Sequence, residues 1–181
     1  MTSSNNSYAS SYLILGGARS GKSRYAENLA AQSGKKVVYI ATAKVLDNEM
    51  EKRVSLHKND RPSNWTTVEE PLLLAATLEE YSQKDNIILV DCLTMWLTNL
   101  LTEDDSSLLK EQIDQLYSSL AKLSGDVIFV SNEISMGIIP LGELTRKYVD
   151  EAGYLHQQLA QQVNTVTLIV AGLPHTLKSD K

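Results

Sequence analysis

A glycine-rich stretch between a strand-like and a helix-like segment constrains this chain more than any other feature. Residues 16–23 read Gly-Gly-Ala-Arg-Ser-Gly-Lys-Ser, the G-x-x-x-x-G-K-S pattern of loops whose backbone amides wrap around phosphate groups. The apolar run 12–15 precedes the stretch, and residues 24–31 have helical character. A turn from strand into helix aims amides and the positive helix end at a phosphate. The pattern therefore predicts a nucleotide-binding loop.

Individual positions in this loop have distinct predicted roles. Gly16 and Gly21 permit backbone angles that a side chain would obstruct. Lys22 can reach the terminal phosphates of a nucleotide, and the Ser23 hydroxyl can ligate Mg²⁺. The predicted nucleotide-binding residues of the loop are Gly16, Gly17, Ala18, Arg19, Ser20, Gly21, Lys22 and Ser23.

Strand-like and helix-like segments alternate along the rest of the chain, which predicts a mostly parallel sheet with helices on both faces. Further strands are expected at 36–41, 65–68, 86–91, 126–132 and 165–171. Helices are expected at 47–57, from 71 to about 83, and at 93–101, 106–124 and 142–163. We expect a flexible leader over residues 1–11 and one α/β domain of the P-loop NTPase (RecA-like) class over 12–181, with no element assigned to the tail 172–181.

Composition excludes several classes of function. A net charge of −5 over 181 residues, without a long basic run, argues against nucleic acid as the main partner. No apolar run approaches the ~20 residues of a membrane span, and the Ser- and Asn-rich start lacks the features of a signal peptide. A single cysteine, Cys92, excludes an internal disulfide and fits a reducing cytoplasm. We therefore expect a cytoplasmic protein.

Asp91 follows the apolar strand 86–90 and is the predicted acidic partner of the phosphate loop. At the end of a neighbouring parallel strand, its carboxylate would lie beside the loop and hold Mg²⁺ directly or through water. Ser23 and Asp91 are thus the predicted metal-binding pair. The alternative is that Asp91 caps the helix that starts at Leu93.

His57 lies among the cationic residues Arg53, Lys58 and Arg61. A neutral imidazole can attack phosphorus and form a covalent intermediate, with the nearby cations stabilising the phosphate charge. The residues alone favour a plainer interpretation, a surface histidine near a helix C-terminus. His156 and His175 are expected to be exposed and not catalytic.

Several linked stretches resemble one enzyme family. They are G-G-A-R-S-G-K-S at 16–23, Y-I-A-T-A at 39–43, D-x-E-M-x-x-R-V-x-x-H at 47–57, D-C-L-T at 91–94 with N-L-L at 99–101, and N-E-x-x-M-G-I-I-P at 132–140. Over residues 12–172, the chain resembles the bifunctional adenosylcobinamide kinase / adenosylcobinamide-phosphate guanylyltransferase family of cobalamin biosynthesis. The P-loop by itself is shared by many proteins, whereas the combination of stretches is specific.

The resemblance implies two reactions. A nucleoside triphosphate, ATP or GTP, phosphorylates the hydroxyl of adenosylcobinamide. GTP then donates GMP to adenosylcobinamide phosphate, giving adenosylcobinamide-GDP and pyrophosphate. It also implies a homotrimer, His57 as the covalent carrier of GMP, and Lys22 as a catalytic residue. Positions that match the family's guanine-nucleotide contacts beyond the loop are Ala41, Thr42, Ala43, Lys58, Asn59, Asp60, Arg61, Glu69 and Asp91.

Some assignments stay open at this point. Either Glu69 or Asp91 would accept the N1–H and N2–H₂ donors of guanine, and for Asp91 this conflicts with a role in binding Mg²⁺. Glu133 is either a general base for the kinase step or part of a structural loop. Leu56 stands where some relatives have a second histidine, which leaves His57 as the one candidate nucleophile in that stretch.

Two rival functions share parts of the pattern. A small-molecule P-loop kinase would use the loop and Asp91 without a covalent histidine. A nucleotide-dependent switch or motor resembling recombination ATPases would need basic nucleic-acid loops or partner surfaces, and the acidic balance argues against it.

Overall fold

The structure is a computed structural model that describes residues 9–44 and 62–180. The predicted helix over 47–57 lies outside the described residues, as do residues 1–8 of the predicted leader. β1 begins at Ser11, inside that leader.

The described ranges form seven strands and five helices. The strands are β1 Ser11–Gly16, β2 Lys36–Ala41, β3 Thr66–Glu69, β4 Asn86–Asp91, β5 Asp126–Asn132, β6 Thr165–Val170 and β7 Leu173–Ser179. The helices are α1 Lys22–Gln32, α2 Leu74–Tyr81, α3 Leu93–Leu101, α4 Leu108–Leu120 and α5 Glu143–Gln162. No helix in these ranges is long and apolar enough to cross a membrane.

One sheet contains all seven strands, in the order β3-β2-β4-β5-β1-β6-β7. Strands β1 to β6 pair in parallel, and β7 pairs antiparallel with β6. The predicted mostly parallel α/β fold is thus confirmed. One detail of the prediction is wrong: the strand that carries Asp91 is not the direct neighbour of β1, because β5 lies between them.

The two faces of the sheet bury separate apolar layers, because successive side chains of a strand point to opposite faces. Helix α1 covers one face, where Ala26 and Ala30 pack on a layer that includes Ile14, Tyr39 and Val130. Helices α2 to α5 cover the other face. The largest buried side chains of that layer include Trp96, Phe129, Leu13, Leu74 and Leu93.

Three parts of the chain differ most from the prediction. The tail, expected to carry no element, contains β7. Helix α2 begins at Leu74 and not at Pro71, because the Glu70 carboxylate accepts the backbone N–H groups of Leu72 (2.8 Å) and Leu73 (2.7 Å) and holds that segment in a turn. Helix α4 is shorter than the predicted span 106–124.

Candidate nucleotide-binding site

The phosphate loop runs from the end of β1 to the start of α1, as the sequence predicts. Gly21 has a φ of 95°, and Arg19 has a φ of 56°, so the loop passes twice through the left-handed region that glycine tolerates best. At Gly16, an added Cβ would lie 2.4 Å from Ser20 Oγ and 2.7 Å from the Ile169 carbonyl oxygen. A side chain at position 16 would therefore push the loop out of shape.

Lys22 turns back over the loop. Its Nζ donates a hydrogen bond to the Gly17 carbonyl oxygen at 3.2 Å. The loop is further tied to the β6–β7 turn, since the Gly172 amide donates to the Ser20 carbonyl oxygen at 2.8 Å. The loop thus presents a cation and a helix N-terminus at the carboxyl edge of the sheet, where such folds bind ligands.

Asp91 lies at the same edge, on the face of the sheet that α1 covers. Its cross-strand partners are Ala41 of β2 and Val130 of β5, and Val130 belongs to the α1-side layer. The Tyr39 hydroxyl donates to Asp91 Oδ2 at 2.9 Å and orients the carboxylate. The helix-cap alternative is not supported, because the N-cap residue of α3 is Cys92 and α3 has no side-chain cap hydrogen bond.

Thr42 joins the ends of β2 and β4. Its hydroxyl donates to the Cys92 carbonyl oxygen at 2.7 Å and accepts the Cys92 amide at 2.9 Å. Asn99 of α3 then fixes the loops that follow β2 and β3, because its Nδ2 donates to the carbonyl oxygens of Thr42 (2.7 Å) and Pro71 (3.0 Å). Thr42 therefore shapes the edge of the site through backbone contacts, with half-buried Ala41 and Ala43 on either side.

Cys92 is held as a neutral thiol beside the site. Burial, and to a smaller extent the charge of Asp91, raise the pKa of Cys92 to about 11, although hydrogen bonds with Thr94 and the Met95 backbone and the charge of Lys22 oppose the shift. Such a thiol is a poor nucleophile at neutral pH. The charge of Lys22 reaches Cys92, so the loop lysine and the end of β4 share one electrostatic environment.

Glu69 is the last residue of β3 and lies at the same edge of the sheet as Asp91. Ala41 is the cross-strand partner of both Glu69 and Asp91, so the three residues cross the carboxyl edge side by side and point to one face. Glu69 is exposed, whereas Asp91 is half-buried. Both acids that the sequence offers for guanine recognition are therefore on the face that holds the loop.

The two histidines that the structure describes differ in their exposure. His156 Nε2 lies 2.7 Å from Ser131 Oγ, and His156 is buried, so the prediction that His156 is exposed is wrong. His175 is exposed on β7, as predicted.

The Glu133 carboxylate, just after β5, accepts the Ser135 amide at 2.6 Å and also contacts the Ser135 hydroxyl. These contacts favour the loop-stabilising interpretation of Glu133.

The structure brings the loop, Ala41 to Ala43, Glu69 and Asp91 to one edge of the sheet. The remaining predicted contacts, His57, Lys58, Asn59, Asp60 and Arg61, lie outside the described residues. Across residues 9–44 and 62–180, no group of three or more His, Cys, Asp or Glu could hold a metal. One hydroxyl and one carboxylate, Ser23 and Asp91, fit Mg²⁺, which keeps several waters and takes further oxygens from substrate phosphates.

Sequence reasoning missed Tyr39 and Asn99 as residues that hold the site. Tyr39 stands in the quoted Y-I-A-T-A stretch, so its place in that stretch was an available signal. Asn99 stands in the N-L-L stretch at 99–101 that also carries the resemblance, but its contacts could not be predicted, because its partners are 57 and 28 residues away in the chain.

Comparison with known proteins identifies the family to which this sequence is similar. Residues 12–177 match the family described as cobinamide kinase / cobinamide phosphate guanyltransferase. The bifunctional adenosylcobalamin biosynthesis protein CobP of Pseudomonas aeruginosa is 55% identical over 168 residues, which cover 93% of this chain and 97% of the relative. The bifunctional adenosylcobalamin biosynthesis protein CobU of Escherichia coli is 37% identical over 179 residues, covering 92% and 98% respectively.

Solved structures agree on the fold. The flagellar accessory protein FlaH from Methanocaldococcus jannaschii superposes with a TM-score of 0.53 at 14% identity, covering 96% of this chain and 80% of that one. The RadB recombinase gives a TM-score of 0.50 at 16% identity, covering 88% and 73%. At these identities the likenesses concern the fold alone. The family match over nearly the whole chain goes further, and the protein belongs to the cobinamide kinase / cobinamide phosphate guanyltransferase family.

Proposed function

We propose that this chain phosphorylates adenosylcobinamide with a nucleoside triphosphate and then transfers GMP from GTP to adenosylcobinamide phosphate through a GMP–histidine intermediate. In the transfer, an imidazole nitrogen of His57 attacks the α-phosphorus of GTP, the bond to the bridging oxygen breaks, and pyrophosphate leaves. A phosphate oxygen of adenosylcobinamide phosphate then attacks the same phosphorus and breaks the P–N bond. The products are adenosylcobinamide-GDP and free His57.

The observation that carries this proposal is the meeting of the phosphate loop and Asp91 at one sheet edge, in a chain whose residues 12–177 match the family. Lys22 and the amides of the loop bind the triphosphate and neutralise the charge that develops on the departing pyrophosphate. Ser23 and Asp91 would hold Mg²⁺, which when bound neutralises phosphate charge. Tyr39 keeps the Asp91 carboxylate oriented through its hydrogen bond.

Glu69 is the better placed of the two acids for guanine recognition. It is exposed at the end of β3, and β2 separates it from the strand that carries Asp91. The charges of Asp91 and Lys22 both act on Cys92, so Asp91 lies in the electrostatic environment of the loop lysine. That position suits an acid near the phosphates. A carboxylate at Glu69 would favour guanine over adenine, because adenine lacks the paired N1–H and N2–H₂ donors.

The covalent step has a direct test. The protein is mixed with Mg²⁺ and GTP labelled at the α-phosphate, denatured, and examined for retained label. We expect acid-labile, base-stable label on the parent and on His175→Ala, the control at an exposed histidine of β7, and none on His57→Ala. Folded parent without label would remove the covalent histidine and favour a plain P-loop kinase.

We propose also that the chain works as a homotrimer in the cytoplasm. Support for self-association comes from the segment between β5 and α5, where large apolar side chains face solvent in the single chain. Met136 is 77% exposed, Ile138 97%, Ile139 76% and Leu141 98%. Contiguous apolar surface of this kind marks interaction sites.

Light scattering would test the oligomer. The parent is expected at three times the chain mass, and Ile138→Asp at a lower mass, since a buried charge opposes association. Ala76→Asp, an exposed alanine on α2, is the matched control and should leave the mass unchanged. A monomeric parent would contradict the trimer.

A further inference from the structure

Asn132, the last residue of β5, lies on the face of the sheet that carries the phosphate loop. Side chains alternate along a strand, and Ile128 and Val130 both pack in the α1-side layer. Asn132 is two residues beyond Val130, so its side chain belongs to the same face. It was part of the N-E-x-x-M-G-I-I-P stretch, but nothing in the sequence gave it a role.

Register places Asn132 between the loop and Asp91. Its cross-strand partner in β1 is Gly16, the first residue of the loop. One step earlier on the same face, Val130 is the partner of Asp91 in β4. The Glu133 amide donates to the Gly16 carbonyl oxygen at 3.0 Å, which holds the end of β5 against the start of the loop.

Two buried polar atoms around Gly16 lack hydrogen-bond partners within residues 9–44 and 62–180. They are Asn132 Oδ1 and Ser20 Oγ. Ser20 Oγ lies close to Gly16, since a Cβ added at Gly16 would be 2.4 Å from it. Leaving a buried polar group unpaired is destabilising, so a native structure that keeps two of them beside a phosphate loop calls for a partner.

The neighbours of Asn132 in the chain are already engaged. Ser131, on the opposite face, contacts His156, and Glu133 accepts hydrogen bonds from Ser135. Asn132 is therefore the polar residue of this strand end whose side-chain oxygen is left for a bound molecule. A primary amide suits a phosphate site, because its NH₂ group donates to phosphate oxygens and its carbonyl accepts from bound water.

We propose that the Asn132 side-chain amide binds the terminal-phosphate end of the nucleotide, opposite Lys22 and next to Asp91. This inference rests on the proposed function, since it assumes that the loop binds a nucleoside triphosphate. The Asn132 amide meets the phosphates beyond the α-phosphate and makes no contact with the base. It therefore discriminates triphosphates from monophosphates.

Calorimetric titration of Asn132→Ala against the parent tests the assignment. The ligands are GMP and the α,β-methylene analogue of GTP, which His57 cannot cleave, both with Mg²⁺. We expect about a tenfold loss of affinity for the triphosphate analogue, the size of one hydrogen bond to a charged group, and unchanged affinity for GMP. Asn132→Asp should lose more than the alanine variant, because a carboxylate repels phosphate.

Stability of the unliganded protein separates this role from a structural one. Because Asn132 Oδ1 has no partner in the described protein, Asn132→Ala should unfold at the parent's urea midpoint or above it. A clear loss of stability, or failure of both variants to fold, would mean that the amide holds the fold and would overturn the proposal. Asn28→Ala, an exposed asparagine on α1, is the matched control for both measurements.

The remaining outcomes are also decisive. Unchanged affinity of Asn132→Ala for the triphosphate analogue, or equal losses for GMP and the analogue, would overturn the assignment alone. A folded parent that binds neither ligand would instead overturn the proposed function, and this assignment with it.

Discussion

His156 is a titratable residue placed inside the fold, against Ser131 at the end of β5. Burial lowers the pKa of His156 below its usual 6.5, and the charge of Glu133 opposes that shift. The folded protein therefore holds the neutral imidazole. In the unfolded chain the same histidine takes up a proton near its ordinary pKa.

Stability should depend on pH through this residue. Below pH 6.5 the unfolded state binds more protons at His156 than the folded state, so stability is fully present above that pH and is lost as pH falls through the folded pKa. We expect the free energy of unfolding of the parent to fall more between pH 7.5 and 5.5 than that of His156→Gln. Urea titrations at the two pH values measure this, and parallel losses would contradict it.

At the scale of elements, strand β7 caps the C-terminal end of α5. α5 ends at Gln162 with the next residue in an extended conformation, and no glycine cap follows. Lys178 of β7 supplies the missing partners, because its Nζ donates to the carbonyl oxygens of Ala160 (3.1 Å), Gln161 (3.2 Å) and Val163 (2.7 Å). A cation at this end also complements the helix dipole.

Removing this ammonium group should destabilise the protein. Lys178→Met keeps most of the side-chain length and leaves the carbonyl groups at the helix end without their charged donor. We expect a loss of about 1–2 kcal/mol in the free energy of unfolding, measured by urea denaturation. Lys147→Met, an exposed lysine of the same helix, is the control and should change stability little. Equal midpoints for the two variants would contradict the capping role.

At the scale of the whole molecule, both apolar layers rest on one sheet. Trp96 is buried in the layer under α2 to α5, and its Nε1 donates to the Leu72 carbonyl oxygen at 2.8 Å. Trp65 packs against the α1-side layer and stacks on Tyr39 with ring centroids 6.5 Å apart. The two tryptophans of the chain therefore report on opposite faces of the same strands.

Because neither layer exists without the sheet, we propose that residues 12–181 unfold as one domain. Fluorescence of Trp65→Phe reports Trp96, and fluorescence of Trp96→Phe reports Trp65. In each variant, the fluorescence midpoint should coincide with the midpoint from far-ultraviolet circular dichroism of the same sample. Separate midpoints within one variant would show that the faces unfold independently.

Much of the fold could be predicted because its signals are local. The phosphate loop is one contiguous stretch, and its strand and helix flank it directly. The inner strands β2, β4 and β5 read as apolar runs because parallel strands are buried on both faces. Strand β7 could not be predicted in this way. Its residues are mostly exposed, and it is a strand because it pairs with β6.

The sequence by itself determined the class of fold and the loop between β1 and α1, and it predicted Asp91 as the acid beside that loop, since each depends on residues adjacent in the chain. Tertiary structure alone decided that β5 separates Asp91 from the loop, that Tyr39 orients Asp91, and that His156 is buried. It also decided that Asn99 holds two loops. Each of these follows from contacts between residues far apart in sequence, which depend on strand order and register and not on local pattern.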